Sequence, residues 1–482
     1  MTARSRATEL LETSKHWLRA EIRRRPVIHR LAKEALVGIK LVRQRLRQGG
    51  REPLHGWGKR VQTYRTSFAG ADLDGLRAAL REHSLRVAEG RHTIYVPPQP
   101  GREAVFGAEL MAAFPPEVGI KLLKNFAPPS RARYHYESGA LAEAALIGPI
   151  GNQVFATAAL YAYGLGPRPY DLVHLVGAGA AGVDMTAIVC EDIDGQNPST
   201  AEYDEFIAKL RALEERGLFR FANPSRFDCS DFYSPDCNGN LITSAAGPRY
   251  VDSQVFLFEE DEVLADVIAA REQTLHFGDV LSIVHAGQRF LYQEVPGSRA
   301  NARRGTGERW QAIEGLLVRN GVKLEQRVVF DVCCNSGMMM HGSLARGAHW
   351  AFGWDLPAVA EAADSLLPLL GSGRTNVFGR QLGLDTDLRA DLPEWAAAWA
   401  SAHGGVGLFL AAWHHIDFPP GVGELPWDHL IYEGQENERL ATTNENVATM
   451  TQRWQARELE RMVIRDGLSG PRPIVLFGRT KE

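Results

Sequence analysis

Two acids and a turn stand at chemically useful spacing in Val328–Pro357, VVFDVCCNSGMMMHGSLARGAHWAFGWDLP. Asp331 ends an apolar run and Gly337 closes the turn that follows. Asp355 ends a second apolar run about one helix further on. A strand–loop–helix–strand unit of this kind suits an adenosine-bearing cofactor. The loop backbone can approach a ligand closely, and the second carboxylate can bind a ribose diol. Further on, His414 and His415 follow another apolar run. Neutral imidazole titrates near working pH and suits a general base, although strand alternation turns only one of the two toward a ligand. The other reading is a polar strand end capped in the core. Tyr432 and Glu433, at the tip of a fifth run, are rival groups on the acceptor side. Arg303, Arg304 and Arg309 read either as a solvated linker or as a clamp for a phosphate or carboxylate.

The elements that must position these residues alternate between helix and strand. A helix over Glu308–Asn320 leads into the strand carrying Asp331, and Ala358–Leu370 is the helix after Asp355. TNVFGRQL reads as a third strand, Val406–Ile416 as a fourth and Trp427–Gln435 as a fifth. The tail reads as a hairpin through the Gly467–Pro471 turn. Parallel strands ending in an antiparallel hairpin resemble the strand plan of class I S-adenosylmethionine (SAM) methyltransferases, over about Arg304–Lys481. The resemblance implies a Rossmann-like seven-stranded sheet with S-adenosyl-L-methionine as cofactor. It implies that Asp331, Cys333, Asn335 and Gly337 form the first motif, with backbone facing the methionine part. By the same resemblance Asp355 takes the ribose hydroxyls, and Gln381 and Leu382 lie at the adenine. Trp413, His414 and His415 fall near the entry of the methyl acceptor. The chain departs from the family at three places. Cys333 and Asn335 replace usual glycines, and Gln381 stands where an Asp is common. Small side chains can still make the turn, and Asn tolerates left-handed backbone better than most residues.

In the N-terminal half VGIKLLK (Val118–Lys124), AIVCEDIDG (Ala187–Gly195) and SPDCNGNLITSAAGPRYVDSQ (Ser234–Gln254) follow one another. They look like a phosphate-binding strand, a hinge and a catalytic loop with its metal-binding acid, as in aminoglycoside- and choline-kinase-like folds. The resemblance implies that Lys121, or alternatively Lys124, holds phosphate and that Glu143 or Glu137 pairs with the lysine. It makes Asp236 the loop acid, with Asn240 and Asp252 on Mg²⁺ and ATP as the nucleotide. The chain departs here as well. Asp236 precedes Asn240 by four residues where the family has five, and no glycine follows Asp252.

Composition bounds the rest. At 482 residues, with 45% hydrophobic and 23% charged residues, the chain reads as a soluble protein of more than one domain. No apolar run reaches the roughly 18 residues of a membrane span, and the start lacks the apolar core of a signal peptide. Cys190, Cys229, Cys237, Cys333 and Cys334 form no C-x-x-C pair, so neither a disulfide framework nor a zinc site is expected. Residues 1–51 hold 14 Lys/Arg against four Glu, which leaves the remainder net acidic. Within them Ile28, Leu31, Ala35, Ile39, Val42 and Leu46 recur at helical spacing. Such a basic amphipathic helix suits an anionic membrane surface or packing on protein. Nucleic acid is not expected, because aromatic interleaving is absent.

The expected architecture is α/β, with a basic helical arm (1–60), an α+β kinase-like domain (90–295) and a methyltransferase domain (296–482). The expected function is SAM-dependent methylation, at oxygen or alternatively nitrogen, of a small-molecule or glycan- or lipid-linked acceptor. The expected location is cytoplasmic, peripheral to the inner face of a membrane. Two rivals stand beside it. One is a bifunctional kinase–methyltransferase, similar to enzymes that cap bacterial surface polysaccharides, in which the two activities come in the opposite order. The other is a non-catalytic scaffold.

Overall fold

Short apolar runs separated by turns fold the N-terminal half into a six-stranded, largely antiparallel sheet. Its strands are β1 (Gln62–Arg65), β2 (Ala88–Glu89), β3 (Thr93–Val96), β4 (Val118–Leu123), β5 (Pro169–Val176) and β6 (Asp184–Glu191), in the order β1-β5-β6-β4-β3-β2. Only the β1–β5 pairing is parallel. Helix α1 (Leu73–Glu82) lies between β1 and β2, and α2 (Ile150–Ala162) between β4 and β5. Helix α3 (Thr200–Glu215) starts in a capping box, in which Ser199 and Glu202 satisfy each other's backbone N–H. Two small pairings follow, β7 (Phe219–Phe221) with β10 (Phe256–Phe258), and the hairpin of β8 (Leu241–Ser244) with β9 (Gly247–Tyr250). This computed structural model describes residues 55–68, 73–85, 87–89, 93–123, 150–177, 184–221, 240–252, 256–269, 277–285, 287–383, 386–412, 420–434, 440–465 and 471–480. The basic segment of residues 1–51 lies outside them.

After α4 (Glu260–Ala269) comes a three-stranded sheet of β11 (Ser282–His285), β12 (Gln288–Gln293) and β13 (Ala302–Arg304). Arg303 and Arg304 therefore lie in a strand and not in a solvated linker, and Arg304 is buried.

The C-terminal half alternates as its sequence pattern requires. Helix α5 (Thr306–Arg319) precedes β14 (Val328–Val332), α6 (Met338–Ala345), β15 (Trp350–Asp355), α7 (Pro357–Leu369) and β16 (Thr375–Gly379). Then come α8 (Glu394–His403), β17 (Gly405–Leu410), β18 (His429–Glu433), α9 (Leu440–Trp454), β19 (Ala456–Ile464) and β20 (Arg472–Arg479). The strands form one seven-stranded sheet, β16-β15-β14-β17-β18-β20-β19. Five strands are parallel, and β20 runs antiparallel between β18 and β19. Strands β14 and β17 are buried at every position, which is why they read as apolar runs, interrupted only by Asp331 in β14. The chain moves from β14 outward through β15 and β16, then returns to β17 on the other side. That reversal leaves a crevice at the carboxyl ends of β14 and β17, where open α/β sheets take ligands. Strand β17 is shorter than the run Val406–Ile416. It stops at Leu410, and Ala411 turns left-handed (φ 56°).

The two halves share their core. Both apolar clusters contain residues of each half, such as Val154 with Leu367 and Phe114 with Trp350. Two buried ion pairs lock the seam. Arg168 pairs with Asp364, and its Nη2 donates to Thr375 O at 2.8 Å and Thr375 Oγ1 at 2.9 Å. Arg374 Nε donates to Asp171 Oδ2 at 2.6 Å, and its Nη2 donates to Gln62 Oε1 and Tyr64 Oη at 2.9 and 3.0 Å. Among the described residues no helix is long and apolar enough to cross a membrane.

Candidate functional site

The turn after β14 has an unusual backbone. Cys333, Asn335 and Gly337 all have positive φ, at 62°, 51° and 73°. Alternate residues of the turn are thus left-handed, a state that costs a non-glycine residue about 1–2 kcal/mol. Strain of this size persists where the surroundings over-determine it, and it clusters at ligand sites. Here the surroundings are explicit. Cys333 N and Cys334 N both donate to Trp354 O, at 2.8 and 3.2 Å, and Gly337 N donates to Cys334 O at 3.0 Å. Asn335 N donates to Asp355 Oδ2 at 2.8 Å. The carboxylate at the end of β15 thus fixes the turn at the end of β14. A Cβ at Gly337 would lie 2.8 Å from Leu367 Cδ1, so a side chain there would have to displace the end of that leucine.

A cavity of about 410 Å³ opens over this turn at the switch point. Asp331, Cys333, Asn335, Asp355, Gln381 and Leu382 all line it. Gly337 lies behind them, at the start of α6. Asp331 is buried, and its Oδ2 has no hydrogen-bond partner among the described residues. Burial, opposed by Arg309 and reinforced by Asp355, pushes its carboxyl up to about 8. Such a group favours a cationic ligand, which would restore its charged form. Asn335 Oδ1 is likewise buried without a partner among the described residues. Asp355 accepts from Asn335 N through Oδ2 and from Leu356 N through Oδ1, each at 2.8 Å. Burial raises the Cys333 and Cys334 thiols, so neither is an activated nucleophile. The donor set fits a nucleoside that carries a diol and a positive charge.

The acceptor-side expectations fare differently. Trp413, His414 and His415 lie outside the described residues. Tyr432 is fully buried, accepts a hydrogen bond from Asn446 Nδ2 at 2.8 Å, and does not line the cavity. This corrects its placement as an acceptor-side group. Alternation along β18 turns Tyr432 toward Phe409 and sends Glu433 to the other face. Glu433, also fully buried, is held by three arginines. Arg309 Nε donates at 2.6 Å, and Arg304 Nη1 and Arg472 Nη1 donate at 3.2 Å. Arg304 and Arg309 are therefore neither a solvated linker nor an unengaged clamp, although Arg309 lines the cavity.

The sequence reading missed the far wall of the cavity. Val280, Ser282, Ile283, Tyr292 and Gln293 line it from β11, β12 and the short helix Phe277–Val280 before them. A signal was present, since SIVH and RFLYQ flank Gly287 as a hairpin would.

In the N-terminal half the structure brings Lys121 and Asp252 together, with Nζ 3.2 Å from Asp252 Oδ1 and 3.0 Å from Val251 O. Asn240 stands next to them through Val251 N, which donates to Asn240 O at 2.8 Å. Lys124, Glu137, Glu143 and Asp236 lie outside the described residues. The sheet face beside Lys121 is covered by Tyr95. A Cβ on Gly119 would run into the Tyr95 ring, and Tyr95 Oη donates to Asp192 Oδ1 at 2.5 Å. Among the described residues no three His, Cys, Asp or Glu side chains group to hold a metal.

Comparison with solved structures finds similar folds over about a third of the chain. Magnesium protoporphyrin IX methyltransferase from Synechocystis with bound SAM is 14% identical over 36% of this chain and 80% of its own, with a TM-score of 0.27. A SAM-dependent methyltransferase from Aquifex aeolicus is 12% identical over 34% and 88%, at 0.25. Mitomycin 7-O-methyltransferase is 17% identical over 32% and 49%, at 0.24. No protein-family model matches the chain, and no curated protein sequence matches it.

Proposed function

We propose that the chain is a SAM-dependent methyltransferase of the class I type. One observation carries the reading: a left-handed turn and two carboxylates, Asp331 and Asp355, line one cavity at the switch point of the seven-stranded sheet. When bound, SAM supplies a methyl group on a sulfonium, which leaves as a neutral thioether. Asp355 holds the ribose hydroxyls while it anchors Asn335 N, so sugar binding and turn geometry depend on one side chain. Asp331 faces the cationic part of the ligand and becomes ionised against it. Leu382, with Gln381 at the rim, encloses the base. The wall of Val280, Ile283 and Tyr292 faces the acceptor, which we infer to be a small molecule or glycan that reacts through oxygen. The chain's contribution is then positioning and a preorganised field, which suffices for methyl transfer to an acceptor already anionic.

One observation favours a second reading of the N-terminal half: Lys121 and Asp252, assigned to phosphate and to metal in a kinase-like site, lie together. Tyr95 stands against it, because it fills the space beside Lys121 and closes it by bonding to Asp192. We therefore assign no phosphoryl transfer to this half and read it as a platform for the methyltransferase half. We also propose that residues 1–51 contact an anionic membrane surface. Protein lacking them should lose affinity for phosphatidylserine vesicles, and unchanged co-sedimentation refutes that contact.

Thermal melts with SAM, NAD and Mg-ATP test the assignment. SAM alone should raise the midpoint. A shift with NAD alone would replace the reading, and a shift with Mg-ATP would restore the bifunctional one.

A further inference from the structure

Helix α6 begins without a local cap. Its first position follows Gly337, which must be left-handed and so brings no side chain to the exposed N–H groups. The missing acceptor comes from Gln293, 45 residues earlier on β12. Gln293 Oε1 accepts from Ser336 Oγ at 2.8 Å and from Met338 N at 3.4 Å. The carboxamide is buried, with 5% of the residue exposed, and lines the same cavity as Asp331, Asn335 and Asp355. A buried amide is costly unless its hydrogen bonds are made, so an apolar residue would be the easier filler for mere packing.

Gln293 is also held from behind. In the parallel register of β12 and β13 it stands opposite Arg304, whose guanidinium is tied to Glu433 at the end of β18. Glu294 N donates to Arg304 O at 3.0 Å. The small sheet is thus clamped to the large one on one side and reaches the strained turn through one side chain on the other. Asp355 fixes the turn at Asn335, and Gln293 fixes it at Ser336 and Met338. Between them they hold the middle and the C-terminal end of the left-handed segment, whose start is held by Trp354 O.

We propose that Gln293 is a positioning residue for the cofactor site, acting as a hydrogen-bond acceptor that holds the 333–337 turn in its binding geometry. The proposal rests on the methyltransferase reading above. It makes the three-stranded sheet part of the cofactor site, although that sheet lies outside the alternating α/β unit.

The test is calorimetric titration of the full chain with S-adenosylhomocysteine. Gln293→Leu should weaken binding roughly tenfold or more, the value of two hydrogen bonds. Gln293→Glu keeps an oxygen acceptor of the same reach and should bind within about threefold of wild type, a rescue that a packing role does not produce. Ser336→Ala removes one bond from the other side and should give an intermediate loss, which keeps the test open if Gln293→Leu fails to fold. Wild-type affinity in both Gln293→Leu and Ser336→Ala overturns the proposal. So does a Gln293→Glu variant as weak as Gln293→Leu. Wild-type protein that binds no S-adenosylhomocysteine overturns the methyltransferase reading itself, a different result from either.

Discussion

At the scale of single residues, the turn after β14 shows how a glycine-poor sequence can make a glycine-rich shape. The two replacements, Cys333 and Asn335, take left-handed backbone because Trp354 O and the Asp355 carboxylate hold their N–H groups. Asn335 was legible as a residue that tolerates such backbone. That Cys333 would do so was not, because the cause lies one strand away. Gly337→Ala should cost about 1–2 kcal/mol from φ alone, and more from the contact with Leu367. A urea melt with an unchanged midpoint contradicts this. Asp331 gives a pH signature. Its folded value, about 8, is above the unfolded one, so its stabilising contribution is complete below the unfolded value near 4 and is lost as pH rises through 8. Ligand-free protein should therefore lose stability over that window, and Asp331→Asn should lose less. Equal slopes for the two proteins would remove Asp331 as the source.

At the scale of elements, the β–α alternation from Thr306 onward was readable because β14, β15 and β17 are covered on both faces and are apolar apart from Asp331 and the terminal Asp355. Strands β5, β11, β12 and β13 were not read. Each is short or carries charged and polar residues that only a specific neighbour satisfies. Arg304 is the clearest case. In sequence it belongs to a run of glycine and arginine, and in the fold it is buried against Glu433. That cluster sets three guanidinium groups around one carboxylate. Burial, reinforced by Arg309, holds the Arg304 guanidinium down at about 10. Removing the carboxylate leaves buried cations unpaired, so Glu433→Gln should cost about 3–5 kcal/mol. Chemical unfolding measures this, and a loss below about 1 kcal/mol would mean that water reaches the cluster.

At the scale of the whole molecule, the sequence reads as two domains, yet the halves share both apolar clusters and meet through two buried ion pairs. The described residues should accordingly unfold in one calorimetric transition, and Arg374→Ala should lower its midpoint. Two transitions of wild-type protein would show that the seam is not cooperative. What the whole molecule positions is the cavity over Asp331 and Asp355, and one titration addresses it directly. Wild-type protein should bind S-adenosylhomocysteine with one-to-one stoichiometry in a calorimeter. Asp355→Ala should weaken that binding by the ~1.5–3 kcal/mol of a lost charge-assisted hydrogen bond. Wild-type affinity in the Asp355→Ala protein, or no heat from either protein, would contradict the account.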